Sequence, residues 1–323
     1  MCGIVGITSN IINNKNNGEN ASILLKSLSK LEYRGYDSLG FSYIKDSGDL
    51  FTQKSPERIS DFINNINFTE HKFSTGIAHT RWATHGGVNQ ANAHPHEGEF
   101  ASLIHNGIIE NYLEIKDELL LDGYKFKSQT DSEVVVHLVS KIIKQSGIKN
   151  STDIAKLSYD EKFALCQNIA SHLLIKLKGA FAIAIIIKNC DGYLLGLKNK
   201  APMIAGFGDN ANYLASDGYA IGKLTNKITT MNDMSYAILT SKDIFLYDKA
   251  NKILNYNIEI INYQDENDTK GTFSTFMEKE IYEQPQAIKN NIQNHLKDDN
   301  TIHFANANFD FSGFKKISLI ACG

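Results

Sequence analysis

Apolar residues recur along this chain at two spacings, one typical of amphipathic helices and one typical of strands. Leu24, Leu28 and Leu31 share one face of a predicted helix over 21–31. Further helices are predicted after Pro56 and over 112–121, 130–142 and 158–177. The last two open with the Ser/Thr-x-x-Glu spacing of a capping box, which marks a helix start.

Short apolar runs between polar turns predict strands, and they dominate the second half of the chain. The first six residues, 39–44, 50–53, 76–81, 100–104, 180–187, 193–198, 203–207, 213–215, 236–239, 244–247 and 253–261 all have this pattern. Strands in runs between blocks of helices indicate stacked layers, whereas alternating strands and helices would indicate a parallel sheet. The predicted fold class is therefore α+β.

Composition excludes several classes of function. The 323 residues are 42% hydrophobic and carry a net charge of −3, so neither a nucleic acid nor an anionic membrane is expected as a partner. The longest apolar run, 180–187, is too short to span a bilayer. Cys2, Cys166, Cys190 and Cys322 form no CxxC motif, which favours a reducing, cytoplasmic location.

The opening sequence, MCGIVG, has two interpretations. It is either an ordinary first strand or the start of a catalytic unit. If Met1 is removed, Cys2 carries both a thiol and a free α-amine. An α-amine has a pKa of roughly 7.7–8.0, so it can accept the thiol proton near neutral pH and act as the base for its own side chain.

Arginine is scarce in this chain, because only Arg34, Arg58 and Arg81 contribute to the 33 positive residues. A chain that supplies charge mainly as lysine is expected to keep arginine where a two-pronged donor is needed. Arg81 precedes the only tryptophan, Trp82, at a strand end. It is either a surface ion-pair partner or a clamp for a carboxylate.

Asp131 and the Asn106-Gly107 pair each have a structural and a functional interpretation. Asp131 either belongs to a helix cap or holds a substrate ammonium group. Asn106-Gly107 is a common turn dipeptide. The same two residues also offer a side-chain amide and an unhindered backbone N–H, which are the two donors of an oxyanion hole.

Five of the ten histidines fall between His79 and His105, which raises the possibility of a metal site. His94-Pro95-His96 is expected to be extended, with its two rings on opposite sides. No carboxylate or second histidine stands four residues from either ring. Hydrogen-bonding or structural roles are favoured, and no metal or cofactor is predicted.

Several sequence segments together resemble the class II glutamine amidotransferases of the N-terminal nucleophile (Ntn) hydrolase superfamily. They are CGIVG at 2–6, EYRGYDS at 32–38, residues 80–86, 92–96, 105–111 and 130–133, and KEIYEQP at 279–285. The second and the last of these are most similar to the glutamine–fructose-6-phosphate aminotransferases, the family that makes glucosamine 6-phosphate. This resemblance implies a four-layer αββα sandwich.

The resemblance also implies catalytic roles. Cys2 would attack the side-chain amide of L-glutamine with its own α-amine as base. Asn106 and Gly107 would form the oxyanion hole, while Arg81 and Asp131 would hold the α-carboxylate and the α-ammonium group.

Four further residues acquire roles in the same way. Thr84 and His85 would line the glutamine site, and Trp82 would gate the path of ammonia between two active sites. Arg34 would organise the loop near the nucleophile.

By the same resemblance, 2–263 would be the glutaminase domain, 264–272 a linker and 273–323 the truncated start of a sugar isomerase (SIS) domain. Residues 273–296 are expected to be mostly helical, with an interruption at Pro285, and 317–321 to form a strand. The residues that bind fructose 6-phosphate would lie in the missing part.

The chain alone is therefore expected to release ammonia and glutamate from glutamine and to do no more. A homodimer or a separate isomerase chain would be its protein partner. The alternative is a remnant that does not catalyse and only docks onto another subunit.

Overall fold

The structure is a computed structural model that describes residues 2–10, 18–82, 87–261, 271–296, 301–302, 313–316 and 318. The chain divides into two compact units, Met1–Gln264 and Asp265–Gly323. Most of the predicted linker, 264–272, lies outside the described residues, as does nearly all of the predicted strand at 317–321. The assignment of the two parts to named domains therefore stays a prediction.

The first unit contains helices and strands in runs. Its described helices are α1 (Glu19–Ser29), α2 (Ile59–Asn65), α3 (Tyr112–Leu121), α4 (Glu133–Gln145), α5 (Ser151–Ala155), α6 (Tyr159–Lys176) and α7 (Gly218–Ile221). Its described strands are β1 (Gly3–Ser9), β2 (Ser38–Ile44), β3 (Leu50–Ser55), β4 (Thr75–Arg81), β5 (His96–Glu97), β6 (Ala101–Ile109), β7 (Gly179–Ile187), β8 (Leu194–Asn199), β9 (Ile204–Phe207), β10 (Ala211–Ala215), β11 (Lys227–Thr230), β12 (Ser235–Leu239), β13 (Ile244–Asp248) and β14 (Glu259–Ile260).

The strands form two antiparallel sheets. The larger has the order β14-β11-β9-β10-β1-β4-β2-β3, and the smaller has the order β13-β12-β8-β7-β6-β5. β1 lies in the middle of the larger sheet, between β10 and β4. The residue just before β1 is therefore held by a strand that is paired on both sides.

Three apolar cores stack these elements into layers. One packs α1 and α2 onto the larger sheet and includes Leu24 of α1 and Phe41 of β2. A second lies between the two sheets and includes Ile77 of β4 and Ile104 of β6. The third packs α4 and α6 onto the outer face of the smaller sheet. The order helix, sheet, sheet, helix confirms the predicted α+β fold with four αββα layers.

The two predicted capping boxes have different outcomes. At α6 the Ser158 hydroxyl accepts from the N–H of Glu161, whose carboxylate accepts from the N–H of Ser158, as predicted. At α4 the prediction is wrong, because the Thr130 hydroxyl contacts the Ser128 hydroxyl and His96 Nε2 instead. The tertiary contact with β5 competes successfully with the local cap.

The turn interpretation of Asn106-Gly107 is also wrong. Both residues lie inside β6, where they pair with Ala182 and Phe181 of β7. β6 therefore runs five residues past the predicted end at 104, because the neighbouring strand supplies partners for its backbone.

The second unit contains α8 (Phe276–His295), which continues through Pro285. The predicted interruption is wrong, since a 20-residue helix can tolerate the one backbone hydrogen bond that a proline removes. Among the helices that the structure describes, none is both long enough and apolar enough to cross a bilayer.

Candidate active site

Cys2 lies immediately before β1 and contacts the residue that follows β4. The N–H of Trp82 donates to Cys2 Sγ over 3.2 Å, and the Trp82 carbonyl oxygen is 3.7 Å from the same sulfur. β1 and β4 pair in register from Gly3 opposite Thr80, so the two strand ends arrive together. The thiol is thereby fixed at one edge of the space between the two sheets.

The thiol of Cys2 is protonated at neutral pH in this environment. Burial raises its pKa above the ordinary value, although the Trp82 N–H and the positive charges of the N-terminus and Arg81 act in the opposite direction. A thiol is a poor nucleophile until it loses its proton. Catalysis at this position therefore requires a neighbouring base.

Asn106 reaches Cys2 from the other sheet. Its Nδ2 donates to the carbonyl oxygen of Cys2 over 2.8 Å. The next residue, Gly107, has a φ of +117°, and a Cβ at this position would lie 2.0 Å from the Ala180 carbonyl oxygen. Only glycine fits here, and its exposed backbone stays accessible beside the Asn106 amide.

Arg81 is the last residue of β4, and it is only 4% exposed. Its Nη1 donates to the Gly87 carbonyl oxygen over 3.3 Å. Burial lowers the pKa of the guanidinium group, while the Cys2 thiol and the carboxylates of Asp37 and Asp131 act in the opposite direction. A surface ion pair, one of the two interpretations of this arginine, does not fit its burial.

Asp131 lies just before α4 and is buried. Its Oδ2 accepts from the N–H of Ile109 over 2.7 Å, and its Oδ1 is 3.4 Å from the Ser132 hydroxyl. The first contact attaches the carboxylate to the end of β6, the strand that also carries Asn106. The structure thus brings Arg81 within electrostatic range of both Cys2 and Asp131.

Hydrogen bonds connect the turn that contains Arg34 to the start of β1, next to Cys2. Arg34 Nη1 donates to Asp217 Oδ2 over 3.0 Å and to the Ser216 carbonyl oxygen over 3.2 Å. The Ser216 hydroxyl in turn accepts from the N–H of Ile4, two residues from the nucleophile. Gly35 lets this turn come close, because a Cβ there would lie 2.8 Å from the Arg81 carbonyl carbon.

Trp82 is 37% exposed, and its ring meets the Tyr36 ring edge-on at 5.6 Å. Thr84 and His85 lie outside the described residues.

The histidines of the predicted cluster lie together. The ring centroids of His79 and His94 are 4.3 Å apart, and those of His94 and His96 are 4.6 Å apart. The expectation that His94 and His96 point to opposite sides is wrong, because their two rings contact each other edge-on. Within the described ranges, no three His, Cys, Asp or Glu side chains are grouped as metal ligands would be.

Two polar residues near the site were not identified from the sequence. His79 Nε2 is 3.0 Å from Asn106 Oδ1. Asn92 donates to the Gly87 carbonyl oxygen and accepts from the N–H of Gln129. The sequence could have indicated a position for His79 near the site, since it stands two residues before Arg81 on one strand and so lies on the same face of that strand.

Comparisons with known proteins agree with this geometry. A family model described as a glutamine amidotransferase domain matches residues 57–152. The chain is 38% identical over its whole length to a glutamine–fructose-6-phosphate aminotransferase of Aquifex aeolicus and 35% identical to the same enzyme of Francisella tularensis. It covers 50% of each of these two proteins.

Two solved structures share the fold. One is the glutamine phosphoribosylpyrophosphate amidotransferase of B. subtilis, with a TM-score of 0.59 at 21% identity over 78% of this chain and 50% of that one. The other is described as the allosteric regulatory enzyme of purine biosynthesis, with a TM-score of 0.59 at 22% identity over 77% of this chain and 49% of that one.

The layered fold is that of the two amidotransferase structures, and residues 57–152 match a glutamine amidotransferase domain. Over its whole length the chain is similar to half of the glutamine–fructose-6-phosphate aminotransferases. It spans about half the length of these curated relatives.

Proposed function

We propose that this chain hydrolyses L-glutamine to glutamate and ammonia with Cys2 as the nucleophile. One observation carries the proposal. Cys2 receives the Asn106 amide from one sheet and the Trp82 N–H from the other, while the buried Arg81 lies within electrostatic range. A thiol, an oxyanion donor and a fixed cation at one strand end are the groups that attack on an amide requires.

The chemistry begins with proton transfer. After removal of Met1, the α-amine of Cys2 takes the thiol proton, and the thiolate attacks the side-chain carbonyl carbon of glutamine. Asn106 Nδ2 and the N–H of Gly107 stabilise the oxyanion that forms. The protonated amine then gives its proton to the departing ammonia, leaving a thioester, and water releases glutamate by the same route in reverse.

Substrate binding uses opposite charges at the two ends of the amino-acid group. Arg81 binds the α-carboxylate with two parallel hydrogen bonds, and Asp131 accepts from the α-ammonium group. Thr84 and His85 complete the pocket. Trp82 covers the path by which ammonia leaves, and Arg34 stabilises the loop beside the nucleophile.

We further propose that residues 2–263 form the glutaminase domain, that 264–272 form a linker and that 273–323 begin a sugar isomerase domain. In the full-length relatives' reaction, ammonia would be passed to fructose 6-phosphate. An isomerase chain in trans would supply that step, in the cytoplasm, and a homodimer is the other proposed assembly. The support is the match of this whole chain to half the length of the curated relatives.

Glutamate release by the purified chain tests the proposal. We expect hydrolysis by the wild type, none by Cys2→Ala, and none by a protein with one extra residue before Cys2, because such a residue turns the α-amine into an amide. Mass spectrometry of the N-terminus verifies each species. Full activity in the extended protein would contradict the mechanism, and an inactive wild type with a free N-terminal Cys2 would favour the non-catalytic alternative.

A further inference from the structure

A buried histidine connects the two sheets directly behind the proposed oxyanion hole. His79 lies on β4, where it pairs with Ile4 of β1, and it is 1% exposed. Its Nε2 is 3.0 Å from Asn106 Oδ1 and 3.1 Å from the His105 carbonyl oxygen. One ring nitrogen of the larger sheet therefore meets two oxygen atoms of β6 in the smaller sheet.

The hydrogen bonds around Asn106 determine the orientation of its side-chain amide and which ring nitrogen of His79 carries the hydrogen. The carbonyl oxygens of Cys2 and His105 can only accept. The Asn106 side-chain atom that lies 2.8 Å from the Cys2 carbonyl oxygen must therefore be the nitrogen, which leaves the oxygen facing His79. Since both partners of His79 Nε2 are acceptors, this ring nitrogen carries the hydrogen.

The surroundings of His79 keep the ring neutral and fixed. Burial lowers its pKa to about 3, although the hydrogen bond to Asn106 acts in the opposite direction. A neutral imidazole has one N–H, and here it is on Nε2. The ring also packs against the ring of His94, with the two centroids 4.3 Å apart.

We propose that His79 is a positioning residue for glutamine hydrolysis, which fixes the Asn106 amide by donating from Nε2 to Oδ1. If the amide rotated by half a turn, its NH₂ would face the His79 N–H and its oxygen would face the Cys2 carbonyl oxygen. Both contacts would then be repulsive. The donor therefore stays aimed at the nucleophile. This inference rests on the proposed function, because it assigns a role within that reaction.

Three variants of the full chain test the inference. His79→Leu removes the donor at similar volume, and we expect kcat to fall roughly 10- to 100-fold with KM within about twofold, since the oxyanion exists only after attack. His79→Gln places an amide N–H near the Nε2 position and should restore most of the lost kcat. In an Asn106→Ala background, His79→Leu should cause no further loss, because its effect passes through the missing amide.

A matched control separates positioning from general damage to the core. His71 is also a buried histidine, but it contacts the Tyr43 hydroxyl in the core on the helix side of the larger sheet. We expect His71→Leu to leave kcat unchanged and to lower the melting temperature as much as His79→Leu does. Equal losses of kcat in the two variants would overturn the inference, as would an equal His79→Leu effect in the wild-type and Asn106→Ala backgrounds.

A measurement on the wild-type protein decides the question if His79→Leu does not fold. Nitrogen-15 NMR at pH 7 should show the His79 ring protonated at Nε2, and protonation at Nδ1 alone would overturn the inference. The proposed function is tested separately, by whether the wild-type chain releases glutamate from glutamine at all.

Discussion

Among single residues, Arg81 shows why charge alone does not describe the site. It is one of only three arginines, it is buried, and it ends a strand beside the nucleophile. A lysine there would keep the charge and lose the planar fork that binds a carboxylate with two hydrogen bonds. The geometry of the donor is therefore the property to test.

We expect Arg81→Lys to raise the KM for glutamine roughly 10- to 100-fold, because a charge-assisted contact is worth about 1.5–3 kcal/mol. Steady-state kinetics of glutamate release measure the change. Arg58→Lys, at an exposed position, is the matched control and should leave KM unchanged. An unchanged KM in Arg81→Lys would mean that another group binds the substrate carboxylate.

The protonation state of a single residue, Cys2, predicts how kcat/KM depends on pH. Burial raises the pKa of the thiol, so the base must take its proton in each turnover. The base is an α-amine with a pKa of roughly 7.7–8.0, and only its neutral form works. We expect kcat/KM to fall tenfold per pH unit below that pKa. A rate that stays level from pH 7.5 to 5.5 would contradict an amine base.

At the scale of elements, β6 carries Asn106 and Gly107, the proposed oxyanion donors, because this strand continues past its predicted end. Gly107 permits this, since any larger residue would meet the Ala180 carbonyl oxygen of β7 at 2.0 Å. The pairing between β6 and β7 and the position of Asn106 thus depend on the same glycine.

We expect Gly107→Ala to lower the free energy of unfolding by about 3 kcal/mol or more and to abolish glutamine hydrolysis. Gly123→Ala is the matched control, because Gly123 also has a positive φ, +85°, but has no atom within 4 Å of the added Cβ. It should cost only about 1–2 kcal/mol and leave activity intact. Urea unfolding of the two variants measures the difference, and equal losses would mean that the contact with Ala180 is relieved at little cost.

The histidine cluster between the sheets predicts a loss of stability in acid. Burial lowers the pKa of His79 and His96 to about 3 and lowers the pKa of His94 and His105 as well. Between pH 6.5 and 3 the unfolded chain therefore binds more protons than the folded one. As the pH is lowered from 6.5 to 3, the free energy of unfolding therefore decreases, by up to about 1.4 kcal/mol per pH unit for each ring.

Replacement of one ring tests this directly. Among the residues that the structure describes, neither nitrogen of His94 has a hydrogen-bond partner, so His94→Phe should fold and should reduce the slope by up to about 1.4 kcal/mol per pH unit between pH 6 and 4. His172→Gln, at an exposed position on α6, should leave the slope unchanged. Urea unfolding at a series of pH values measures both, and an unaltered slope in His94→Phe would refute the prediction.

At the scale of the whole molecule, the described groups of the candidate site all belong to the unit Met1–Gln264. We therefore expect a chain that ends at residue 264 to unfold cooperatively and to hydrolyse glutamine with unchanged kcat and KM. A truncated chain that folds but is inactive would show that the second unit supplies part of the site.

Much of the fold could be predicted from the sequence, because its signals are local. The apolar period of α1, the capping box at Ser158 and the apolar run of β7 each depend on neighbours along the chain. Errors arose where distant residues compete with local ones. His96 takes the Thr130 hydroxyl away from the α4 cap, and β7 draws Asn106-Gly107 into a strand.

The sequence by itself predicted the layered fold class and the resemblance to glutamine amidotransferases, and it made Cys2 the proposed nucleophile, since a cysteine at position two and the shared motifs are properties of the chain's order. Only the tertiary structure decided which groups meet. Asn106 contacts Cys2 from 104 residues away, and His79 holds Asn106 across the space between the sheets. The physical reason is that hydrogen bonds between sheets depend on strand order and register, which no short stretch of sequence encodes.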